Sequence, residues 1–229
     1  MYAMLIYGKQ PVYYILQNHP KLVSKLYLAK DIDKKEYSKL MKFDFEVKRI
    51  PSDAADKMCK SSNHQGFLAE IEEFEYTPLK SFLDKDFVVV LASITDVGNI
   101  GAIVRSAYAF GVEGIIATGV KQLSMEPIMR SSTGALADMP FGLVSNLYDV
   151  INDLKTSGFT IYGAVMDGED IRDVKPAGKR AIILGSESVG IPPKAQGRLD
   201  KKVSIKMENG FDSLNVSVAG AILMDRMRL

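Results

Sequence analysis

Three features of the sequence predict an α/β fold built in two parts. Continuous apolar runs at 87–92, 114–117, 159–165 and 181–184 suit parallel strands buried on both faces. Helix-like segments separate these runs, and regular alternation of strand and helix implies a layered α/β architecture. The third feature is a break at 72–81, an acidic, proline-containing stretch without a sustained period, before which the elements are shorter. On residue pattern alone, the second part reads as a Rossmann-like sheet.

The first part is a small α/β module. Residues 25–29 read as a strand, and Asp31 is placed to cap a helix over 32–42, where Ile32, Tyr37, Leu40 and Met41 share one face. Phe43, Phe45 and Val47 alternate with Asp44, Glu46 and Lys48, as in a half-buried strand over 43–50. Pro51 and Ser52 open a helix to about Lys60, and 66–73 returns to strand. The organisation expected is a domain at 1–75, a linker at 76–85 and a second domain at 86–229.

Composition excludes several classes. Hydrophobic residues make up 47% of the 229 and charged residues 25%, which is ordinary for a globular chain and unlike collagen, disordered or disulfide-scaffold sequences. No apolar run approaches the ~20 residues of a membrane span, and the opening residues lack a signal-peptide pattern. A single cysteine, Cys59, forbids an internal disulfide, and with only His19 and His64 beside it no metal site is expected. The expectation is a cytoplasmic protein. Net charge is +1, but residues 21–60 hold 11 basic against 7 acidic side chains, the local excess that a phosphate-tracking face would need.

Three stretches of the second part carry polar and glycine residues where buried strands end. In the first, Asn99 lies in the opening turns of a helix that ends at Gly111, and Arg105 follows six residues on among small and apolar neighbours. Arg105 is either a surface arginine paired with a carboxylate or a ligand for phosphate or substrate. In the second, a strand runs into Gly185-Ser-Glu187-Ser188-Val-Gly190, a tight loop that is neither a dinucleotide fingerprint nor a P-loop. In the third, a strand ending at Met207 leads through a loop to a helix capped by Asp212 or Ser213, with Asn215 and Ser217 at its start.

The ordered set Asn99-x5-Arg105, Leu184-Gly-Ser-Glu187 and Ile205-x-Met207…Ser213-Leu-Asn-Val-Ser-Val-Ala219 resembles the three motifs of the SpoU/TrmH family of RNA ribose 2′-O-methyltransferases, within the SPOUT superfamily. The N-terminal part, with Ile6-Tyr7-Gly8 and His64-Gln65-Gly66, resembles the L30e-like RNA-binding domain of two-domain members. The resemblance replaces the Rossmann guess with a trefoil-knotted SPOUT domain following a small L30e-like α/β domain. It implies S-adenosyl-L-methionine as cofactor, contacted by Gly185, Glu187, Ile205, Met207, Ser213 and Leu214, and catalytic roles for Asn99, Arg105, Glu187, Ser213 and Asn215. It implies a homodimer formed through the catalytic domain, with structured RNA as substrate. The L30e-like module and His64-Gln65-Gly66 favour a guanosine of 23S rRNA; tRNA, and a catalytically silent RNA-binding assembly factor, are the alternatives. Ser188 stands where many relatives have glycine, Lys206 where they have proline, and Asn209 where glycine is common. His64 is read either as an RNA contact or as a residue that closes a turn.

Overall fold

The structure, a computed structural model of the chain, describes residues 3–43, 45–60, 63–209 and 212–229. Asp44 of the expected strand and Gly210 and Phe211 of the third motif's loop lie outside the described residues. The chain forms two compact units, Met1–Glu75 with Ser124–Ala137, and Tyr76–Leu123 with Asp138–Leu229.

The first unit begins with β1 (Ala3–Tyr7) and α1 (Lys9–Asn18), elements that the opening apolar run and Gly8 announce only weakly. Gly8 makes the turn between them at φ 101°. There follow β2 (Val23–Leu28), α2 (Lys34–Leu40), β3 (Glu46–Arg49), α3 (Ser52–Cys59) and β4 (Phe67–Glu72). The sheet order is β1-β4-β2-β3, with β4 antiparallel to both neighbours and β2 parallel to β3. The cap of α2 is Asp33, whose carboxylate accepts from Glu36 N at 2.8 Å, and not Asp31. Asp33 has Glu three positions on, the spacing of a capping box, and Asp31 instead meets Arg49 at 2.9 Å. The third strand is shorter than alternation suggests and begins at Glu46; ahead of it the Phe43 and Phe45 rings stack, centroids 5.5 Å apart.

A helix from the later sequence, α5 (Met125–Ser131), belongs to this unit and packs on β1. Glu126 accepts the Leu5 backbone N–H at 3.2 Å, and the Arg130 guanidinium lies 4.8 Å from the Tyr7 ring centre. β1 is an edge strand, and this cover satisfies one of its outward donors. Nothing in the local pattern of 124–137 signals that destination.

The second unit opens with a 3₁₀ turn, Leu79–Phe82, inside the stretch expected as linker; the Phe82 ring is fully buried. It lies where a Cβ on Gly114 or Gly142 would stand, less than 3 Å away. Then come β5 (Phe87–Ala92), α4 (Val97–Ala109), β6 (Gly114–Thr118), β7 (Phe141–Val144), α6 (Leu147–Thr156), β8 (Thr160–Asp170), β9 (Arg180–Gly185), α7 (Pro193–Gln196), β10 (Lys201–Ser204) and α8 (Val216–Arg226). All six residues of β5 are buried, as a strand covered on both faces requires.

The sheet is wholly parallel, in the order β10-β8-β9-β5-β6-β7. Numbered within the unit from β5, this is 6-4-5-1-2-3, whereas a doubly wound dinucleotide fold reads 6-5-4-1-2-3. The exchange of β8 and β9 corrects the Rossmann guess and has a consequence for the site. It puts the carboxyl end of β9 beside that of β5, with register Ala92 opposite Gly185.

Pairing of β8 with β10 breaks between Lys202 and Val203, where the partner jumps from Gly163 to Glu169. Residues 164–168 therefore leave the ladder. Gly168 closes this excursion against the Val203 backbone, where any Cβ would stand 2.5–2.7 Å from main-chain atoms. Ser204 Oγ donates to the Gly168 carbonyl at 2.8 Å.

The last helix starts later than expected. Neither Asp212 nor Ser213 caps it; Asn215 Oδ1 accepts from Ser217 N at 2.9 Å and from Ser217 Oγ at 2.6 Å. Capping thus accounts for the Asn215–Ser217 pair. Val216, Gly220, Leu223 and Met224 face inward, and Gly220 admits the Leu184 side chain to within 2.9 Å of where a Cβ would be. Arg180, 6% exposed, ties the far end of α8 by donating Nε to the Met227 carbonyl at 2.7 Å.

Candidate active site

Parallel α/β sheets hold their ligands beyond the carboxyl ends of the strands, at a reversal of strand order. Here the reversal lies between β5 and β9. Asp96 follows β5 and caps α4, accepting from Asn99 N at 2.7 Å, so Asn99 sits in the first turn with its amide facing the β9 loop. Asn99 Nδ2 donates to Glu187 Oε1 at 3.4 Å. Asn215 Nδ2 reaches both Asn99 Oδ1 at 2.9 Å and Glu187 Oε1 at 3.0 Å. Residues 88 and 116 positions apart in the chain thus form one cluster joining α4, the β9 loop and α8.

Beside the cluster opens a cavity of about 760 Å³. All six residues expected to contact a cofactor line it: Gly185, Glu187, Ile205, Met207, Ser213 and Leu214. The loop 186–191 is drawn tight by the Gly190 N–H, which donates to the Ser186 carbonyl at 2.8 Å. Gly185 is a glycine of necessity, since a Cβ there would stand 2.2 Å from the Gly190 carbonyl carbon and 2.4 Å from Ile191 N. Of the three departures from the family pattern, Asn209 takes φ 57°, a left-handed conformation that asparagine tolerates better than most residues. Ser188 needs no positive φ and is exposed, and Lys206 lines the cavity. Lys206 also faces Asp170, whose carboxyl is held at about 2, first by hydrogen bonds from Arg172 and in smaller part by the Lys206 charge.

Arg105 stands apart. Six residues along a helix is about 9 Å of rise and about 240° of rotation, so it does not share the face of Asn99. It is exposed, and among the described residues it pairs with no carboxylate. Its neighbour one turn on, Tyr108, is 46% exposed.

The cavity wall contains residues that motif reading missed. Ala164, Val165, Met166 and Asp167 of the β8 excursion line it, as do Ser204 and Gln196, whose Nε2 donates to the Ile191 carbonyl at 2.9 Å. Gly163 and Gly168 flank the excursion, and glycine inside a strand pattern was the available signal for an interruption there. Among the described residues no three His, Cys, Asp or Glu side chains form a metal-binding group.

The residues present suit S-adenosylmethionine. The volume lies within the ~300–1,000 Å³ of small-ligand sites. Leu184, Ile191, Leu214 and Leu223 offer apolar walls for a purine, while Glu187, Ser204, Ser213 and Gln196 offer polar groups for ribose and amino-acid ends. This fold and site define an α/β enzyme with a nucleoside-sized cavity at a strand-order reversal.

Comparison with known proteins narrows the class. Residues 86–225 match the model of the SpoU rRNA Methylase family, and residues 5–77 match that described as RNA 2′-O ribose methyltransferase substrate binding. A 23S rRNA (guanosine-2′-O-)-methyltransferase, RlmB, of Coxiella burnetii is 32% identical over 231 residues, covering 96% of this chain and 92% of its own. A protein named as a TrmH family tRNA/rRNA methyltransferase from Staphylococcus haemolyticus is 30% identical over 215 residues, covering 88% and 86%. In fold, the chain is similar to the SpoU methyltransferase AviRb from Streptomyces viridochromogenes in complex with AdoMet, with TM-score 0.80, 22% identity and coverage of 98% and 89%. The chain belongs to the SpoU rRNA methylase family. It is an S-adenosylmethionine-dependent RNA 2′-O-ribose methyltransferase with an N-terminal substrate-binding domain.

Proposed function

We propose that the RNA target is a guanosine of 23S rRNA, and that the Asn99–Glu187–Asn215 cluster at the cavity mouth is where the ribose is held for transfer. The rRNA reading is supported by the near full-length likeness to the Coxiella enzyme that carries that name. On this reading residues 1–75 engage the RNA and 86–229 carry the chemistry, in keeping with the two family matches. The knotted topology of the family is part of the same proposal for the segment from β9 to α8, as are a cytoplasmic location and a homodimer. For the dimer, support comes from the outer surface of α8, where Val218 is 48% exposed and Ile222 half-buried.

S-adenosylmethionine would supply an electrophilic methyl group for in-line displacement by the ribose oxygen, the S–CH3 bond breaking to release S-adenosylhomocysteine. A 2′-hydroxyl is a poor nucleophile, so the protein must orient it and favour the developing alkoxide. The Asn99 and Asn215 amides can turn donors and acceptors toward the ribose while Glu187 fixes their orientation. Gly185, Ile205, Met207, Ser213 and Leu214, which line the cavity, would hold the cofactor. A guanidinium keeps its proton in proteins, so Arg105 serves as a phosphate clamp and alkoxide stabiliser and not as a base; the proton passes to water or phosphate. Placed about 9 Å along α4 from Asn99, Arg105 completes the site by closing on RNA or by acting in the partner's site.

The observation that carries the proposal is the three-residue cluster, because it joins all three motifs and its Glu187 also lines the cavity. Its test is methylation of deproteinised total rRNA and total tRNA with labelled cofactor, followed by mapping of the product. A single 2′-O-methylguanosine in 23S rRNA is expected. Label confined to tRNA would replace the target, and label on a base would overturn the role of the cluster.

A further inference from the structure

A second cavity, about 650 Å³, belongs wholly to the first unit and lies between the start of α1 and the His64-Gln65-Gly66 turn. His64 is 4% exposed and is used up in building that turn. Its Nδ1 accepts from Gly66 N at 3.0 Å, and its carbonyl accepts from Phe67 N at 3.0 Å. Its Nε2 lies 3.2 Å from Asp56 Oδ1 without the alignment of a hydrogen bond. The imidazole shapes the cavity and is not the group that would meet a ligand.

What the turn presents is a lysine. Gly66, at φ 82°, leaves the space in which a Cβ would stand 2.4 Å from Lys30 Cγ and 2.6 Å from Cδ. The Lys30 stem lies across that space, and its ammonium sits 4.9 Å from the Phe67 ring centre. Among the described residues no carboxylate pairs with it. Gln65, itself at φ 55°, spends Oε1 on Lys9 N at 2.9 Å, which leaves its amide N–H groups at the cavity. Gln10 is in the first turn of α1, where a backbone N–H has no acceptor within the helix.

Lys9 also lines the cavity but lies 4.0 Å from Glu36, so Lys30, exposed and without a carboxylate partner among the described residues, is the cation that neutral donors accompany there, an arrangement suited to a single anion. We propose that this cavity is a phosphate subsite for the backbone of the RNA substrate, with Lys30 as its charge and Gln65 as a neutral donor. The assignment rests on residues 1–75 engaging RNA, and it explains why Gly66 is glycine and why His64 is buried without a catalytic partner.

The test uses the full chain and its Lys30→Ala and Gln65→Ala variants, with Lys34→Ala, on the exposed surface of α2, as control. Binding of deproteinised 23S rRNA and of total tRNA is measured from 50 to 200 mM salt, alongside methyl-transfer kinetics. For Lys30→Ala the slope of log K against log salt should become shallower by about 0.7–0.9, the loss of one phosphate contact. The KM for RNA should rise about three- to ten-fold while kcat and cofactor affinity hold, as for a lost phosphate contact. Gln65→Ala should raise KM with little change in slope, because it removes a neutral donor. Slopes and KM equal to those of Lys34→Ala, in variants that melt like the wild type, would overturn the subsite. If the wild type methylates tRNA and not rRNA, the rRNA reading fails on its own, and the same variants test the subsite on tRNA.

Discussion

Replacing Asn215 by aspartate separates the two jobs that this side chain performs. Its Oδ1 caps α8 through Ser217 N at 2.9 Å, and its Nδ2 donates to Glu187 at 3.0 Å and Asn99 at 2.9 Å. Aspartate keeps the acceptor and the volume but sets a second carboxylate against Glu187. Two unit charges about 3 Å apart repel by roughly 1.4 kcal/mol in bulk water and about 5.5 kcal/mol at an effective dielectric of 20. Because Glu187 and Asn215 are exposed, the lower end applies, and about 1.5–2 kcal/mol corresponds to a 10- to 30-fold loss in kcat/KM at pH 8. The cap survives, but the same repulsion is present in the folded state, so the melting temperature at pH 8 should fall by about 3–8 °C and recover on acidification. Asn215→Ala, which loses the cap, should cost ~1 kcal/mol and 2–4 °C. The pH dependence has a definite sign. A neighbouring like charge raises a carboxyl pKa, so as pH falls the pair takes up a proton, the repulsion ends and the deficit of Asn215→Asp shrinks. Methyl-transfer kinetics from pH 5.5 to 8.5 with melting curves provide the assay. Wild-type turnover at pH 8, or a deficit that grows on acidification, would refute the role of the cluster.

Gly185→Ala puts a methyl group 2.2 Å from the Gly190 carbonyl carbon and forces the loop to move by about 1 Å; overpacking of ~1–3 kcal/mol and at least a ten-fold weaker cofactor Kd by calorimetry are expected. Arg105→Ala should lower methyl transfer at least 100-fold with cofactor Kd within two-fold, and Arg105→Lys should rescue little, because a point charge does not reproduce a planar fork; equal losses in binding and turnover would make the residue structural. Arg180→Met should lower thermal stability by about 1–3 kcal/mol, because the Met227 carbonyl loses its buried donor, and an unchanged melting curve would mean that α8 is held by its apolar face alone.

Much of the second unit was legible from residues. The runs at β5, β6 and β9 are apolar throughout because both faces are covered, and such strands announce themselves without context. The first unit was less so. Its β1 pairs with β4, 61–69 residues away, and α1 packs on that pair; the cap at Asp33 was signalled by Glu36 three positions on, which reading Asp31 as the cap overlooked. Strand order was beyond reach, since nothing local distinguishes β9 beside β5 from β8 there; the family resemblance supplied what the pattern could not. The destination of 124–137 and the excursion at 164–168 were hidden for the same reason, because their partners are remote in sequence. The site was legible as three motifs, yet its geometry corrected their meaning. Asn215, not Ser213, caps α8, and Arg105 is separate from the cluster formed by Asn99, Glu187 and Asn215.

The central claim is that one cavity, walled by the β9 loop, the β8 excursion and the start of α8, holds the methyl donor beside that cluster. Calorimetric titration of S-adenosylmethionine into the full chain and into Ser213→Trp tests it most directly. Ser213 is exposed and lines the cavity, so an indole there occupies the cofactor's space without entering the core. One cofactor per wild-type chain, and loss of binding in a variant that melts normally, is the expected result. Undiminished binding by Ser213→Trp would place the cofactor elsewhere and contradict the account.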